Sequence, residues 1–568
     1  MLYNIKMVRE ELKKEIEKAL MALGVGFPGL DTNLEQPADF KFGDYSTNVA
    51  MVAAKTAGLN PKDLAEKIAE QIRLSNNPNV KDVQVAGGGF INFYLSEEFF
   101  AESLRAILKA GDNYGCNQAL SGRKVVVEYT DPNPFKEFHI GHLMSNSIGE
   151  ALSRIIEANG AETKRACYQG DVGLHVAKTI WGYFQAEEKE NLDIHDWGKF
   201  YVMGSKAYEA DEETKKEIND INRQVYGRTN DKTNQAYDLG RQASLEYFAE
   251  IYKRLGTSFD FYFFESETEK IGKKMVEVGL SKGIFEKSDG AIVFRGEKFD
   301  ESMHTRVFVN SLGLSTYEAK DLGLAKLKFE RYPYDLSVLV TGNEVLDYFR
   351  VMLKALDLLE PELAAKARHV AHGMLRLPTG KMSSRTGEVI TAVSLIEEVK
   401  KRVLEKTSER ELPVEKKEEI AEKVAIGAIK FSILKQSPGR DIVFDFDRSL
   451  SLEGDSGPYL QYAYTRAKSV LAKADKEIVD FTQGEEPMVI EKLLIKLPAV
   501  VERSFQELAP QHIVTYLVNL ASSFNSYYAK NKIIGSENEA YRLVLTRAVA
   551  QTLKSGLTLL GIPVLEEM

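Results

Sequence analysis

Cysteine is almost absent: Cys116 and Cys167 are the only two in 568 residues, far apart and without Cys-x-x-Cys spacing. That excludes a disulfide framework and a thiolate zinc ribbon, and both are expected to be small buried residues. Histidine is sparse, with eight, and closely spaced only at His139/His142 and His369/His372. The second pair lacks a nearby third ligand, so no metal site is expected. No apolar run approaches the roughly 20 residues that cross a bilayer, and the opening segment to Ala22 reads as a charged amphipathic helix, not a signal peptide. The expectation is a cytoplasmic protein without membrane association. A basic excess is missing too: 74 Lys and Arg against 84 Asp and Glu give a net charge of −10. Such a sum does not mark a nucleic-acid binder, but it excludes none, because counterion release depends on bases aligned along one groove.

What is present is length, enough for three or four units at roughly 150 residues each. The stretch that organises them is Glu128-Tyr129-Thr130-Asp131-Pro132-Asn133-Pro134-Phe135-Lys136-Glu137-Phe138-His139-Ile140-Gly141-His142. A β-branched run precedes it and apolar residues at helical spacing follow, so the context is strand, turn, helix. A helix opening there is expected to offer unpaired N–H groups and a positive dipole end to a phosphate. Two imidazoles add donors, and Gly141 removes a side chain that would keep a nucleotide off the backbone. Taken alone, the tetrapeptide could equally be two surface histidines at a helix start. Its partner is Lys381-Met382-Ser383-Ser384-Arg385, bracketed by Gly380 and Gly387 as in a loop that closes over phosphates.

Around these motifs the chain reads as four regions. Residues 1–121 form a small α/β module containing Gly43-Asp44-Tyr45-Ser46-Thr47-Asn48 and the glycine turn 87–89. Residues 122–390 alternate strands and helices, as in a doubly wound parallel sheet, with strands expected at 124–130, 163–169, 291–295, 306–309, 335–341 and 368–373. A helical, charged insertion interrupts them at about 184–289. Residues 391–455 are a helical connection, and 456–568 a helical bundle opening with Gly457-Pro458-Tyr459-Leu460-Gln461-Tyr462-Ala463-Tyr464-Thr465-Arg466. Periodicity alone favours aromatic core packing for that last segment.

Together the two motifs resemble the signature of class I aminoacyl-tRNA synthetases, and over nearly the whole chain the resemblance is to the arginyl-tRNA synthetases. It implies ATP-dependent activation of L-arginine to an adenylate and transfer to the terminal ribose of tRNA(Arg), releasing AMP and pyrophosphate, with Mg²⁺ accompanying the nucleotide. His139, His142 and Lys381 would be catalytic, with Gly141, Met382, Ser383 and Ser384 beside them at ATP. Glu128 and Asp321 would hold the guanidinium, Tyr317 would pack on the side chain, and Asn133 and His139 would position the amino-acid head. Asn343 stands where many members carry a glutamine-containing segment. The first domain would touch the outer corner of the tRNA, and Tyr459, Gln461, Tyr462 and Arg466 would meet the anticodon by stacking. A monomer is expected.

Plainer readings exist for the acids: Glu128 could pair with a neighbouring base, and Asp321 could sit on a helix surface. Two other functions fit the first motif, a nucleotidylyltransferase and a non-catalytic tRNA-binding paralogue. The chain is long for the former, and its motifs are whole, against the latter. Gly170-Asp171-Val172-Gly173 also matches the family pattern, followed by His175 where relatives often carry glutamine. The intact Lys381 loop bears on whether tRNA must bind before arginine is activated, as is common in the family.

Overall fold

The computed structural model describes residues 3–25, 32–37, 39–190, 192–377, 391–408, 411–474, 481 and 488–568, with side chains from Val8 onward. Its centre is a five-stranded parallel sheet in the order Ala367–His372, Leu336–Gly342, Lys124–Glu128, Glu162–Gln169, Phe261–Phe264. The first strand in sequence lies in the middle, and the chain winds outward on either side of it. The sheet therefore has its switch point between Lys124–Glu128 and Leu336–Gly342, where a crevice opens at the carboxyl ends of the strands.

Two strand expectations need correction. Residues 291–295 and 306–309 do not join the parallel sheet; Ala291–Arg295 and Thr305–Val309 form a separate antiparallel sheet with Glu286–Ser288. The fifth parallel strand is Phe261–Phe264, inside the stretch read as a helical insertion. Helices of that insertion span Ile194–Ala210, Glu212–Gly227 and Asp231–Leu255.

Helix Ile140–Ala158 runs from the crevice along one sheet face. Ser145 Oγ donates to Val340 O at 2.8 Å, and a Cβ on Gly149 would lie 2.2 Å from the Tyr129 ring, so only glycine permits this approach. Its far side meets the C-terminal helices: Arg154 Nη1 donates to Thr558 O at 3.0 Å and Asn159 Nδ2 to Val501 O at 3.4 Å. Buried on both sides, the helix carries small and apolar residues nearly all round, Ser145, Ser147, Gly149, Ala151 and Ser153 among them.

The N-terminal module is a four-stranded antiparallel sheet backed by helices. Asn60 caps helix Pro61–Leu74 by accepting from Lys62 N at 2.9 Å, with proline at the first helical position. Buried Asp44 accepts from Leu95 N at 2.9 Å and pairs with Lys492 Nζ at 3.0 Å, joining this module to the C-terminal helices. Those helices include Val414–Leu434, Gly457–Lys473, Gln511–Lys530 and Glu539–Leu559.

Candidate active site

Between the strand end at Glu128 and the helix at Ile140 the backbone is strained. Thr130, Asp131 and Phe135 have φ of 82°, 47° and 68°, a left-handed region that residues with a Cβ seldom adopt. Tertiary bonds hold them: Thr130 N donates to Ser145 Oγ at 2.9 Å, Tyr168 N to Asp131 Oδ1 at 2.7 Å, and Phe135 N to Ser244 Oγ at 2.8 Å. Pro132 and Pro134 are buried, and Phe135, Phe138 and Ile140 pack inward. Lys136 and Glu137 face the insertion instead, Lys136 over the Tyr201 ring and Glu137 paired with His195.

His139 is the helix N-cap. Its Nδ1 accepts from Gly141 N at 3.1 Å and His142 N at 3.4 Å, while His139 N donates to His142 Nδ1 at 3.3 Å. The rings stack with centroids 3.5 Å apart. Two helix-mouth N–H groups are thus already satisfied, which corrects the expectation that they await a phosphate. Because both Nδ1 atoms accept, each neutral ring carries its proton on Nε2. Burial pulls His139 down to about 4 and His142 well below the usual imidazole range, so both are neutral donors at physiological pH. Gly141 serves the cap itself: a Cβ there would lie 2.9 Å from His139 Cε1.

Around the end of strand Lys124–Glu128 lies a nest of acids. Burial, countered in part by the Tyr348 hydroxyl and reinforced by Glu128 and Glu265, pushes Asp321 up to about 8. Burial and the Glu128 charge likewise hold Asp131 well above the carboxylate range. Glu128 pairs with Lys328, their side chains only 4% and 2% exposed, so the plainer reading of Glu128 holds for its Oε2. Burial opposes the charge on Lys328, but Glu128 outweighs it and the ammonium stays protonated. Glu265 pairs with Lys320 at 2.6 Å, and Lys320 Nζ sits 5.3 Å from the Tyr317 ring. Tyr317 is 58% exposed and shares a helix face with Asp321 one turn on. Asn133 reaches the same corner: a Cβ on Gly170 would be 2.4 Å from its Oδ1. Asn343, by contrast, is exposed in the short 3-10 turn that follows strand Leu336–Gly342. Asp171 is structural, accepting from Tyr237 Oη, Arg241 Nε and Ser266 N and Oγ.

Lys381, Met382, Ser383 and Ser384 lie outside the described residues. Thr391, where the described chain resumes, forms a β-bridge with His139, and Ala392 N donates to Phe138 O at 2.8 Å.

Comparison with known proteins decides the family. Models for the class I (R) tRNA synthetase catalytic domain, the DALR anticodon binding domain and the arginyl tRNA synthetase N-terminal domain match residues 103–446, 460–568 and 8–95. The arginine–tRNA ligase of Clostridium perfringens is 31% identical over 99% of both chains, and that of Borreliella burgdorferi 29% over 99% of both. The chain belongs to the arginyl-tRNA synthetase family. Among solved structures, Thermus thermophilus arginyl-tRNA synthetase matches with a TM-score of 0.77 at 26% identity, covering 99% of this chain and 100% of that one. The Plasmodium falciparum enzyme shares the fold, with a TM-score of 0.79 at 21% identity over 99% of each chain.

In this arginyl-tRNA synthetase the C-terminal candidates divide. Tyr459 is buried, and Gln461, wholly buried, donates to Lys423 O at 3.1 Å and Pro563 O at 2.7 Å, so neither is free to meet a base as expected. Helix Gly457–Lys473 is covered on that face by its neighbours. Tyr462 and Arg466 instead line an open groove of about 650 Å³ with Lys473, Tyr528 and Lys532. Arg466 lies 4.6 Å and 5.1 Å from the Tyr462 and Tyr528 rings and donates to Asn525 Oδ1 at 2.7 Å.

Asp131, Lys328 and Tyr348 were not singled out by sequence reasoning. Lys328 had a signal, since it follows Asp321 by two helical turns on the face that carries Tyr317.

Proposed function

We propose that this arginine–tRNA ligase activates arginine at the junction 128–142, with the guanidinium among Asp321, Asp131 and Glu128 and the ATP phosphates at His139 and His142. The observation that supports it most is the Thr391–His139 bridge, which returns the chain beyond Lys381 to the imidazole pair.

The arginine carboxylate attacks the α-phosphorus and pyrophosphate leaves; a ribose hydroxyl of the tRNA end then attacks the acyl carbon and AMP leaves. The first transition state is crowded and strongly negative, so donors that meet it better than the ground state lower the barrier. The Nε2–H groups of His139 and His142 are preorganised donors, fixed by their own caps. Lys381, with Met382, Ser383 and Ser384, supplies the cationic side. Mg²⁺ would enter with the nucleotide, held by its phosphates. Asn133 fixes the amino-acid head, and Tyr317 covers the side chain.

A guanidinium suits this pocket because its planar fork pairs bidentately with carboxylates, a geometry an ammonium cannot imitate. Tyr462 and Arg466 offer a stacked platform for splayed anticodon bases. The enzyme acts as a monomer in the cytoplasm. Aminoacylation with all twenty amino acids and total tRNA, beside pyrophosphate exchange with and without tRNA, tests the assignment; charging of any amino acid but arginine overturns it.

A further inference from the structure

Helix Tyr317–Arg331 carries two buried cations, Lys320, paired with Glu265, and Lys328. Lys328 Nζ bonds Glu128 Oε2 and, at 3.3 Å, Ser337 Oγ. Replacing a buried ion pair by well-packed apolar groups is often neutral or stabilising, so stability alone does not account for this one. A cavity of about 20 Å³, with room for about one water, is lined by Asp321, Lys328, Tyr334 and Ser337.

We propose that Lys328 is a positioning residue for arginine recognition, acting through Glu128: it clamps Oε2 from behind and leaves Oε1 for the guanidinium. This rests on the reading of Glu128 and Asp321 as guanidinium acids. Three carboxylates in one buried corner cannot all stay ionised without a cation. Among them Lys328 bonds Glu128, fixing the orientation of its carboxylate before substrate arrives. Without it, Glu128 would lose its fixed geometry.

Pyrophosphate exchange in the presence of tRNA, on wild type, Glu128→Gln, Lys328→Met and the double variant, tests this. Lys328→Met is expected to raise the arginine KM about tenfold or more, with the ATP KM within about twofold. The double variant is expected to have the arginine KM of Glu128→Gln alone, because Lys328 then has nothing to hold. An arginine KM for Lys328→Met within twofold of wild type, or losses that multiply in the double variant, overturns the proposal. Should Lys328→Met fail to fold, the double variant, which removes both charges at similar volume, decides against Glu128→Gln by the same criterion. Glu128→Gln without effect removes the pocket reading and the proposal together; an effect there with none in Lys328→Met removes the role of Lys328 alone.

Discussion

The two ends of the stretch Glu128–Ala158 face opposite demands. At its start Asp131 and, from helix Tyr317–Arg331, Asp321 lie part-buried near Glu128, and their carboxyls are pushed up. Toward its other end Glu150, only 2% exposed, is held below the usual range: burial works against its charge, but Arg154 at 2.7 Å and Arg165 at 3.1 Å outweigh it. The Tyr129 hydroxyl donates to it at 2.6 Å, and Arg154 also reaches Gly256 O at 3.1 Å. One end is electrostatically complete, while the other has more acid than its own cations answer. A surplus of buried carboxylate is a standing invitation to an external cation, and the complete end is what holds the strained one in place.

The largest effect should come from the phosphate side. His142→Ala or Lys381→Ala should slow adenylate formation about 10²–10³-fold, the usual scale for losing a donor to a developing oxyanion. Circular dichroism and the thermal midpoint should change little. Asp321→Asn comes next: losing a charge-assisted bond worth about 1.5–3 kcal/mol should raise the arginine KM roughly 10–100-fold in pyrophosphate exchange, with less effect on kcat.

The same acid gives a pH signature. In the empty site Asp321 holds its proton up to about pH 8, and the guanidinium binds the ionised form. Arginine affinity should therefore fall as pH drops below that value, by at most about tenfold per unit. A flat arginine KM between pH 6 and 8.5 would remove Asp321 from the pocket. At the groove, Arg466→Ala should raise the tRNA KM about 5–20-fold, from stacking worth about 1–2 kcal/mol, the low part of the range per base, and leave the arginine KM unchanged.

The smallest catalytic effect and the sharpest contrast come from pairing Asp321→Asn with Glu150→Gln in thermal unfolding of the ligand-free enzyme. Asp321 has a raised folded pKa, so its contribution to stability is present at low pH and lost as pH rises toward 8; at neutral pH Asp321→Asn should raise the unfolding midpoint. Glu150 has a depressed one, so its contribution is present at neutral pH and lost on acidification. Glu150→Gln should lower the midpoint, breaking a buried pair worth about 3 kcal/mol, while the arginine KM stays within about twofold. Equal and same-signed shifts would erase the distinction between the two ends.

Elements with strong local signals were legible in the sequence: the Asn60-Pro61 helix start, the helix of the 414–434 region, and the strand–turn–helix around His139. Asp321 and Tyr317 were reached only through the family resemblance; their spacing puts them on one helix face but does not say what that face meets. Strand Phe261–Phe264 was not legible, being four aromatic residues without alternation directly after a 25-residue helix. Lys328 meeting Glu128, and Tyr348 meeting Asp321, are contacts made only by folding: spacing shows the helix face of Lys328 but not the partner it meets. Gln461 failed for the opposite reason: periodicity shows that a helix has faces but not how many are covered, and Lys423 and Pro563 cover this one.

The central claim is that neutral imidazoles and surplus acids converge on one arginyl-adenylate. Its most direct measurement is equilibrium binding of a non-hydrolysable arginyl-adenylate analogue to wild type, His142→Ala and Asp321→Asn, with the lysyl analogue as control. Each variant should bind the arginyl analogue at least about tenfold more weakly, and wild type should bind the lysyl analogue weakest of all. Tight arginyl-analogue binding that is indifferent to Asp321→Asn would contradict the account.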